Sequence, residues 1–432
     1  MQPYFAQDGL QVYHGDVLRT WRVLPTGLLH CVVTSPPYWA LRDYSVAPTV
    51  WGGDETCCHS FEETPKPGGG GTSKSFRRDR EAGRQRGGVM PGSCVHCGAW
   101  KGCLGNEPTP ELFVRNMVLV FREVHRVLRD DGTLFVNFGD SYAAKELVGI
   151  PWRFAFAMQE AGWYLRNEII WAKRSPMPES VDDRATRAHE HIFLFSKKPR
   201  YFFDSFASSE PVTGNAHSRG SGVNPKAAAV DAGNHHGVSK ANNSFSAAVC
   251  DLVERRNMRT VWPLSTYSYK GAHFATYPPE LVRRCLTAGM SEAGCCAKCG
   301  APYKRLIHKI RKPTRSGKAS KVQGDDNRGE VGNRDPQRHT TVKEHVGWAT
   351  SCKCGPIGNP VPCILGDPFH GAGTDMVVAK KLGYRYVGCE LSEDYIKLSI
   401  ERLGKPLQFP HEKKKSKPKK IKSLKDQREL FA

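Results

Sequence analysis

Ser35, Pro36, Pro37 and Tyr38 form the stretch whose residue types most directly suggest a chemistry. An amino group on a planar ring is a weak nucleophile, because its lone pair is delocalised into the ring. The Ser35 hydroxyl and the Pro36 carbonyl can accept hydrogen bonds from such an amine, and Tyr38 can stack on the ring. The two prolines stiffen the loop and offer no competing backbone N–H. The alternative interpretation is a proline turn with an exposed aromatic residue.

A second candidate site lies near the other end of the chain, in the sequence DPFHGAGT at residues 367–374. Gly371 and Gly373 permit close backbone approach, and a helix that starts at this turn offers N–H groups to a carboxylate. Asp367 can meet an ammonium group or an ordered water beside it. Glu390 ends the next predicted strand, where a carboxylate can accept hydrogen bonds from both hydroxyls of a ribose. The pattern favours a nucleotide-like cofactor; the alternatives are a dinucleotide fold and an ordinary glycine turn.

Cysteine and histidine occur at ligand-like spacings within two polar stretches. The two sets are Cys57, His59, Cys94 and Cys97, and Cys296, Cys299, Cys352 and Cys354, with Cys58 and Cys295 as ambiguous neighbours. Four such ligands suit tetrahedral Zn²⁺, and each site would be structural because protein fills every position. Buried free thiols are the alternative. The paired spacings of the 15 cysteines favour metal sites over a disulfide framework.

The elements that must position these groups alternate between strands and helices. Apolar runs predict strands at Leu29–Val33, Thr133–Phe138, Tyr164–Trp171, His191–Ser196, Cys363–Gly366 and Tyr386–Glu390. Helical spacing predicts helices after Thr109, at Trp152–Ala161, around Leu281–Leu286, and at Thr374–Leu382 and Ser392–Leu403, with Asp130–Gly132 ending the first. This βαβ alternation predicts an α/β fold with a doubly wound, mostly parallel sheet. Both candidate turns would then lie at the carboxyl ends of strands.

In this order, TSPPYW followed by DPFHGAGT, the chain resembles the beta class of site-specific DNA amino-methyltransferases. Gly15-Asp16-Val17-Leu18 and the stretch HFATYP at residues 273–278 are similar to two further motifs of that class. His370 departs from the family pattern, in which a small residue precedes the first glycine. The resemblance implies a Rossmann-like, circularly permuted fold that binds S-adenosylmethionine.

The resemblance also implies roles for individual residues. It places Asp16 on the adenine amino group of the cofactor and His273 near its methionine end. The full set of cofactor-binding residues is Asp16, Thr34, His273, Asp367, Phe369, Gly371, Gly373, Thr374 and Glu390, and the catalytic set is Ser35, Pro36, Pro37 and Tyr38. Asp140–Tyr142, Trp171–Lys173 and Arg187–Glu190 are expected to line a DNA cleft.

The expected substrate is a base flipped out of double-stranded DNA, since an amino group inside a duplex cannot reach such a pocket. In the family that the chain resembles, Ser in the first position of the motif, as at Ser35, favours methylation of cytosine N4. Asp or Asn there is more usual for adenine N6. Methylation of adenine N6 stays open as an alternative. Two other classes are alternatives: a methyltransferase of RNA or protein, and a non-catalytic zinc-containing DNA-binding protein. Intact Asp16, Ser35, Tyr38 and Glu390 speak against the second.

The charge of the chain agrees with a polyanionic partner. Lys and Arg number 63 against 43 acidic residues, a formal net charge of +20, although a lysine-rich tail from His411 onward holds much of the excess. The sequence shows neither an apolar run long enough for a bilayer nor a secretory signal, so a cytoplasmic bacterial or phage-encoded protein is expected. A companion restriction endonuclease and the oligomeric state stay open.

The composition divides the chain into eight segments. These are an N-terminal part of the core at 1–51, a zinc-binding insertion at 52–107, the continued catalytic core at 108–204, a target-recognition region at 205–261, a return to the core at 262–290, a second zinc-binding insertion at 291–358, the cofactor-binding part of the core at 359–405, and a basic tail at 406–432.

Overall fold

A computed structural model describes residues 1–41, 46–61, 92–211, 252–253, 255–267, 269, 276–313, 339–355, 359–407 and 409. The described residues form two compact units. The first draws on Met1–Phe202, Thr260–Met290 and Pro362–Ala432, and the second on Phe203–Arg259 and Ser291–Val361. No described helix is both long and apolar enough to cross a membrane.

The first unit is built from alternating strands and helices. Its strands are β1 (Phe5–Gln7), β2 (Leu10–His14), β3 (Leu29–Thr34), β4 (Thr49–Trp51), β5 (Trp100–Gly102), β6 (Leu128–Phe138), β7 (Tyr142–Ala143), β8 (Glu146–Leu147), β9 (Tyr164–Lys173), β10 (His189–Ser196), β14 (Val261–Leu264), β17 (Ile364–Asp367) and β18 (Arg385–Glu390). Its helices are α1 (Val17–Thr20), α2 (Pro110–Val127), α3 (Ile150–Glu160), α4 (Pro279–Gly289), α5 (Thr374–Leu382) and α6 (Glu393–Leu403). A 3₁₀ turn at Trp21–Val23 follows α1.

Nine of these strands form one sheet in the order β1-β2-β18-β17-β3-β6-β10-β9-β14. From β2 to β6 every neighbouring pair is parallel, and so is β9 with β14. The pairs β1–β2, β6–β10 and β9–β10 are antiparallel. The predicted mostly parallel sheet is therefore confirmed, as a mixed sheet whose β10 runs against its neighbours.

Helices cover both faces of this sheet, as the doubly wound prediction requires. Leu134 and Val136 on β6 belong to the apolar core that includes buried residues of α2 and α3, among them Phe113, Phe121 and Phe154. Thr133 and Phe135 alternate with these residues along β6, and their side chains approach Gly289 at the end of α4 on the other face. Burial on both faces explains why β3 is an uninterrupted buried run rather than an alternating one.

The elements differ from the prediction most clearly at the end of α2 and at the N-terminus. Asp130–Gly132 does not end α2; the helix stops at Val127 and these residues already belong to β6, which begins at Leu128. Polar Asp130 and Asp131 are tolerated in a strand because this part is partly exposed. The N-terminal strands β1 and β2 were not predicted, and β2 extends the sheet beside β18.

The second unit contains β11 (Glu210–Pro211), β12 (Leu252–Val253), β13 (Arg255–Arg256), β15 (Lys304–Pro313) and β16 (His339–Ala349). β11 pairs with β13, and β12-β16-β15 form a three-stranded sheet. β15 and β16 make a long antiparallel ribbon within the segment that was predicted only as a basic, cysteine-bearing insertion. Most of the predicted target-recognition region at 205–261, and the tail from His411 onward, lie outside the described residues.

Candidate active site

One cavity of about 620 Å³ brings the two candidate turns of the first unit together. It lies where β3, β17 and β18 end, which is the position expected for ligands of an open α/β sheet. Nine predicted site residues line it: Asp16, Ser35, Pro36, Pro37, Tyr38, Phe369, Gly371, Thr374 and Glu390. Thr34, Asp367 and Gly373 lie behind this lining, and His273 lies outside the described residues.

The loop that follows β3 is braced by a neighbouring segment. Ala40 N donates to Gly105 O at 2.8 Å, and Trp39 Nε1 donates to Glu107 O at 2.8 Å. The buried Glu107 carboxylate in turn accepts from Gly105 N and from the Asn116 side chain. Burial raises the pKa of Glu107 to about 7. These contacts fix the backbone on which Ser35 and Tyr38 are presented to the cavity.

A hydrogen-bond network centred on Glu190 holds the Tyr38 phenol. Tyr38 Oη donates to Glu190 Oε2 at 2.7 Å, and Asn137 Nδ2 donates to the same oxygen at 2.7 Å and to Tyr38 Oη at 2.9 Å. Lys173 Nζ pairs with Glu190 Oε1 at 2.6 Å. Ser35 Oγ donates to Tyr38 Oη at 3.2 Å. Each oxygen of Glu190 thus has a partner, so its charge is compensated beside the cavity.

The Tyr38 ring is fixed as well as its hydroxyl. It stacks on Phe138 with ring centroids 5.8 Å apart and an interplanar angle of 21°. Gly139 lies against the ring edge, where an added Cβ would fall 2.5 Å from Tyr38 Cε2. The orientation of the ring is therefore set by packing and by the phenol contacts together.

Glu390 joins the end of β18 to the glycine turn. Its Oε2 accepts from Gly371 N at 2.7 Å and its Oε1 from Ser392 N at 2.9 Å. Burial raises the pKa of Glu390, and the two backbone N–H groups oppose that rise. Each carboxylate oxygen retains a further lone pair, so Glu390 can still accept hydrogen bonds from a ligand in the cavity.

Asp16 caps the first helix at the rim of the same cavity. Its Oδ1 accepts from Leu18 N at 2.7 Å, which is the usual N-cap contact. Gly15 N donates to Glu390 O at 2.8 Å and thereby joins this end of β2 to β18. Burial raises the pKa of Asp16. The second carboxylate oxygen is left for a donor in the cavity.

Asp367 and Asp375 form a buried acidic pair beneath the glycine turn. Asp367 Oδ1 accepts from Thr34 Oγ1 at 2.7 Å and from Phe369 N at 3.0 Å, so it fixes both turns from behind. Burial raises the pKa of Asp367 to about 6. Burial, followed by the charge of Asp367, raises the pKa of Asp375 well above its usual value. Tyr277 Oη donates to Asp375 Oδ2.

His370, which departs from the family pattern, is buried and hydrogen-bonded through both ring nitrogens. Ser399 Oγ donates to Ile396 O, so it must accept from His370 Nε2–H at 2.7 Å. His370 Nδ1 then accepts from Tyr386 Oη at 2.8 Å. Burial lowers the pKa of His370 to about 3, which keeps the ring neutral. His370 therefore ties the glycine turn to β18 and α6 without adding a charge.

Gly373 starts α5 in a left-handed conformation, with φ of +69°. An added Cβ would fall 2.6 Å from Ser399 Cβ, so the turn requires glycine here for space as well as for backbone angle. Thr374 follows at the helix N-terminus, where its hydroxyl accepts from Arg402 Nη1 at 3.0 Å.

Both predicted metal-ligand sets converge. Within each set the four ligand atoms lie within 4.8 Å of one another. In the first, Cys57 Sγ and Cys94 Sγ are 3.9 Å apart, and Cys97 Sγ and His59 Nδ1 are 3.4 Å apart. Bond lengths of about 2.3 Å to sulfur and about 2.0 Å to nitrogen give tetrahedral edges of about 3.8 and about 3.5 Å. The residues present therefore fit a tetrahedral ion of the size of Zn²⁺.

Two residues of the site, Asn137 and Asp375, carried sequence signals that were not used. Asn137 is a polar residue near the carboxyl end of an otherwise apolar strand. Asp375 stands in the first turn of α5, immediately after the glycine motif. Lys173 and Glu190, expected only to line a DNA cleft, line the cavity with Trp171 and Arg187. Asp140 instead accepts from the backbone N–H groups of Gly149 and Ile150 at the start of α3.

Comparisons with known proteins show which family this chain resembles. A family model described as DNA methylase, of the N6/N4 type, matches residues 29–297. The type II methyltransferase M.XycI of Xanthomonas campestris pv. cyanopsidis is 32% identical over 91% of this chain and 88% of that protein. The type II methyltransferase M.Cfr9I of Citrobacter freundii is 28% identical over 92% of this chain and 88% of that protein. The solved PvuII cytosine-N4-specific DNA methyltransferase covers 94% of this chain and 91% of its own, with 13% identity and a TM-score of 0.49.

Proposed function

The chain belongs to the N6/N4 family of DNA methylases, and from that membership we propose that it methylates N4 of cytosine in double-stranded DNA. The observation that carries the choice of base is Ser35, a serine in the first position of the motif, lining the cavity beside the Pro36 backbone. Adenine N6 is the second candidate. The type II relatives support a place in a restriction–modification system, so a companion restriction endonuclease is part of the proposal.

The proposed methyl donor is S-adenosylmethionine, whose sulfonium group supplies an activated methyl to the amine. Asp16, Phe369, Gly371, Thr374 and Glu390 would hold it, because they line one side of the cavity. Glu390 would accept the ribose hydroxyls and Asp16 the adenine amino group. Thr34, Asp367 and Gly373 lie behind the lining and would shape the turn. His273 keeps its proposed place near the methionine end.

The catalytic loop would act on the other side of the cavity. A hydrogen bond from the amine to the Pro36 carbonyl and one to Ser35 Oγ would orient its lone pair towards the donor. Ser35 Oγ can accept because its own hydrogen is directed to Tyr38 Oη. The proline at position 37 keeps the loop rigid, and the Tyr38 ring would contact the flipped base. No covalent bond to the protein is needed.

The strand order supports a circularly permuted core. The cofactor turn follows β17, and β17 lies inside the sheet between β3 and β18. The catalytic turn follows β3, which precedes β17 in the chain but is its neighbour in the sheet. In this proposal the half that binds the donor comes last in the chain, and the half that binds the amine comes first.

Structural zinc is proposed at both ligand sets. The support is the convergence of four ligand atoms in each and the tetrahedral spacing in the first. Because protein supplies all four ligands in each set, these ions would stabilise local structure and take no part in methyl transfer. The first set would stabilise the segment whose end, at Gly105–Glu107, braces the catalytic loop.

Nucleoside analysis tests the choice of base. The protein is incubated with isotopically labelled S-adenosylmethionine and unmethylated genomic DNA, the DNA is digested to nucleosides, and the labelled product is identified. N4-methylcytosine is expected. If the product is N6-methyladenine, the second candidate replaces the first. If the donor binds but no methylated nucleoside is formed, both candidates are rejected.

A further inference from the structure

No described residue of the ribbon formed by β15 and β16 in the second unit lines the cavity described above. We propose that it is a DNA-binding element, held at its base by the second cysteine set and inserted into the major groove of the substrate. This inference rests on DNA as the substrate and not on which base is methylated.

The base of the ribbon is closed by the candidate metal site. Cys296 and Cys299 precede β15, which begins at Lys304, and Cys352 and Cys354 follow β16, which ends at Ala349. Lys304 and Ala349 are paired across the two strands. The four thiols therefore converge where the two strands enter and leave the ribbon. A metal ion there would fix the direction in which the ribbon projects.

The dimensions of the ribbon suit a DNA groove. With a rise of about 3.4 Å per residue, strands of 10 and 11 residues extend for about 34 Å or more. The major groove of B-DNA is about 12 Å wide and admits a two-stranded ribbon. The pairing shifts register between Leu306 and Ile307, which leaves Val346 as a bulge residue with 61% of its surface exposed. Bulges increase the twist of a ribbon, and an exposed apolar side chain can contact a thymine methyl.

The charge of the ribbon suits the same partner. β15 reads KRLIHKIRKP and contains no acidic residue, and the acidic residue of β16 is Glu344. Lys309 lies directly opposite Lys343, so both lysines share one face, and His345 follows on that face. Both lysines are exposed, and neither forms an ion pair with another residue that the structure describes. Like charges placed opposite each other destabilise a strand pair, whereas phosphates would neutralise them.

Arg305 shows the contrasting, structural use of a cation. Its side chain is 9% exposed, and its guanidinium pairs with Asp204 at 2.9 Å and with Glu292 at 2.7 Å and lies over the Trp348 ring. Its charge is therefore neutralised within the unit, at the end of the ribbon near the thiols. Lys309 and Lys343, further along the ribbon, keep their charge available for a ligand.

The test measures DNA binding by the full chain as a function of salt. Lys309→Gln with Lys343→Gln is compared with the wild type and with Lys380→Gln plus Lys397→Gln, two exposed lysines on helices of the first unit. Binding to duplex DNA is followed by fluorescence anisotropy between 50 and 200 mM salt. The slope of log K against log salt is negative, and each lost phosphate contact lowers its magnitude by about 0.9, so the magnitude should fall by about 1.8 for the ribbon pair.

The slope of the control pair should stay at the wild-type value, and both variants should bind S-adenosylmethionine normally. Thermal unfolding verifies that the ribbon variant is folded. An unchanged slope for the ribbon pair would reject the proposal, as would an equal loss in the control pair, which would indicate diffuse attraction to a basic protein. Because the readout is DNA binding, it stands apart from the identity of the methylated base.

Discussion

The phenol oxygen of Tyr38 lies 2.7 Å from Glu190 Oε2, although the two residues are 152 positions apart in the chain. The contact joins the loop after β3 to the start of β10; Asn137 donates a hydrogen bond to the same carboxylate, and Lys173 supplies the opposite charge. Tyr38 therefore has two separable attachments, the stacked ring and the bonded hydroxyl. The contribution of the hydroxyl can therefore be tested while the stacked ring is kept.

Tyr38→Phe removes the hydroxyl and leaves the stack on Phe138. We expect kcat to fall about 10-fold, because the loop and the Ser35 hydroxyl lose an anchor worth one hydrogen bond to a charged group. Glu190→Gln should cost at least as much, because it also removes the charge that Lys173 pairs with. The double variant should lose less activity than the product of the two single losses, since both substitutions weaken the contact between Tyr38 and Glu190. Steady-state kinetics with duplex DNA measure this. Losses that multiply in the double variant would contradict the shared network, and the KM for the methyl donor should not change.

Ser35→Ala removes the side chain proposed to accept from the amine. Methyl transfer should fall at least 100-fold, because the remaining Pro36 carbonyl cannot orient the amine alone. Calorimetry should show the affinity for S-adenosylmethionine within about twofold of the wild type. Full activity of this variant would remove Ser35 from the catalytic set and with it the argument for cytosine.

Glu390→Gln should weaken binding of S-adenosylmethionine at least 10-fold. The carboxylate accepts from two backbone N–H groups, and an amide would turn its own N–H₂ towards one of them. A donor left unsatisfied in a buried site costs about 1–3 kcal/mol. Glu393→Gln, the same change at an exposed position three residues later, is the matched control. Equal affinities for the two variants would refute the assignment of Glu390.

Metal analysis of the purified protein should find two zinc ions per chain. Cys97→Ser should lower the content to one, because it removes a ligand of the first set, whereas Cys58→Ser at the exposed neighbouring position should leave it at two. Chelation should lower the thermal stability of the wild type. Protein that contains no zinc when it is purified without chelators would reject both sites.

The burial of Asp367 has a consequence for stability against pH. Its pKa is about 6 in the folded chain, above its usual value of 3.8, so the folded state holds the proton more tightly than the unfolded state. The resulting stability is present below about pH 4 and is lost as the pH rises through about 6, by up to about 3 kcal/mol.

Asp367→Asn cannot ionise, so its unfolding free energy should decline less than that of the wild type between pH 4 and pH 7. Denaturant unfolding at several pH values measures the difference. Asp394→Asn, on the exposed side of α6, should follow the wild-type curve. Parallel curves for Asp367→Asn and the wild type would show that this carboxyl has its ordinary pKa.

The sequence predicted those parts of the molecule that local chemistry determines. The strand before TSPPYW and the helix that begins at Thr374 follow from apolar runs and turn residues, and they were found at those positions within one or two residues. The convergence of Cys57, His59, Cys94 and Cys97 followed from their ligand types.

Contacts between distant segments could not be predicted in the same way. The residues around Glu190 in the sequence do not indicate that it contacts Tyr38. Those around His370 likewise do not indicate that Tyr386 and Ser399 bond its two ring nitrogens. Such pairs depend on sheet order. The same limit explains why Asp130–Gly132 was expected to end a helix: the sequence signals a break, but pairing of β6 with β3 decides that a strand starts there.

The sheet order also bears on how the chain is made. β17 and β18 join β3 to β2, so the N-terminal hairpin of β1 and β2 has no place in the sheet until residues 364–390 have left the ribosome. During synthesis the edge of β3 that later pairs with β17 is unpaired. The pairing of β3 with β17 joins segments far apart in the sequence, and such pairing slows folding. A nascent or prematurely ended chain would thus carry the loop after β3 without the glycine turn and Glu390, where we propose that the methyl donor binds.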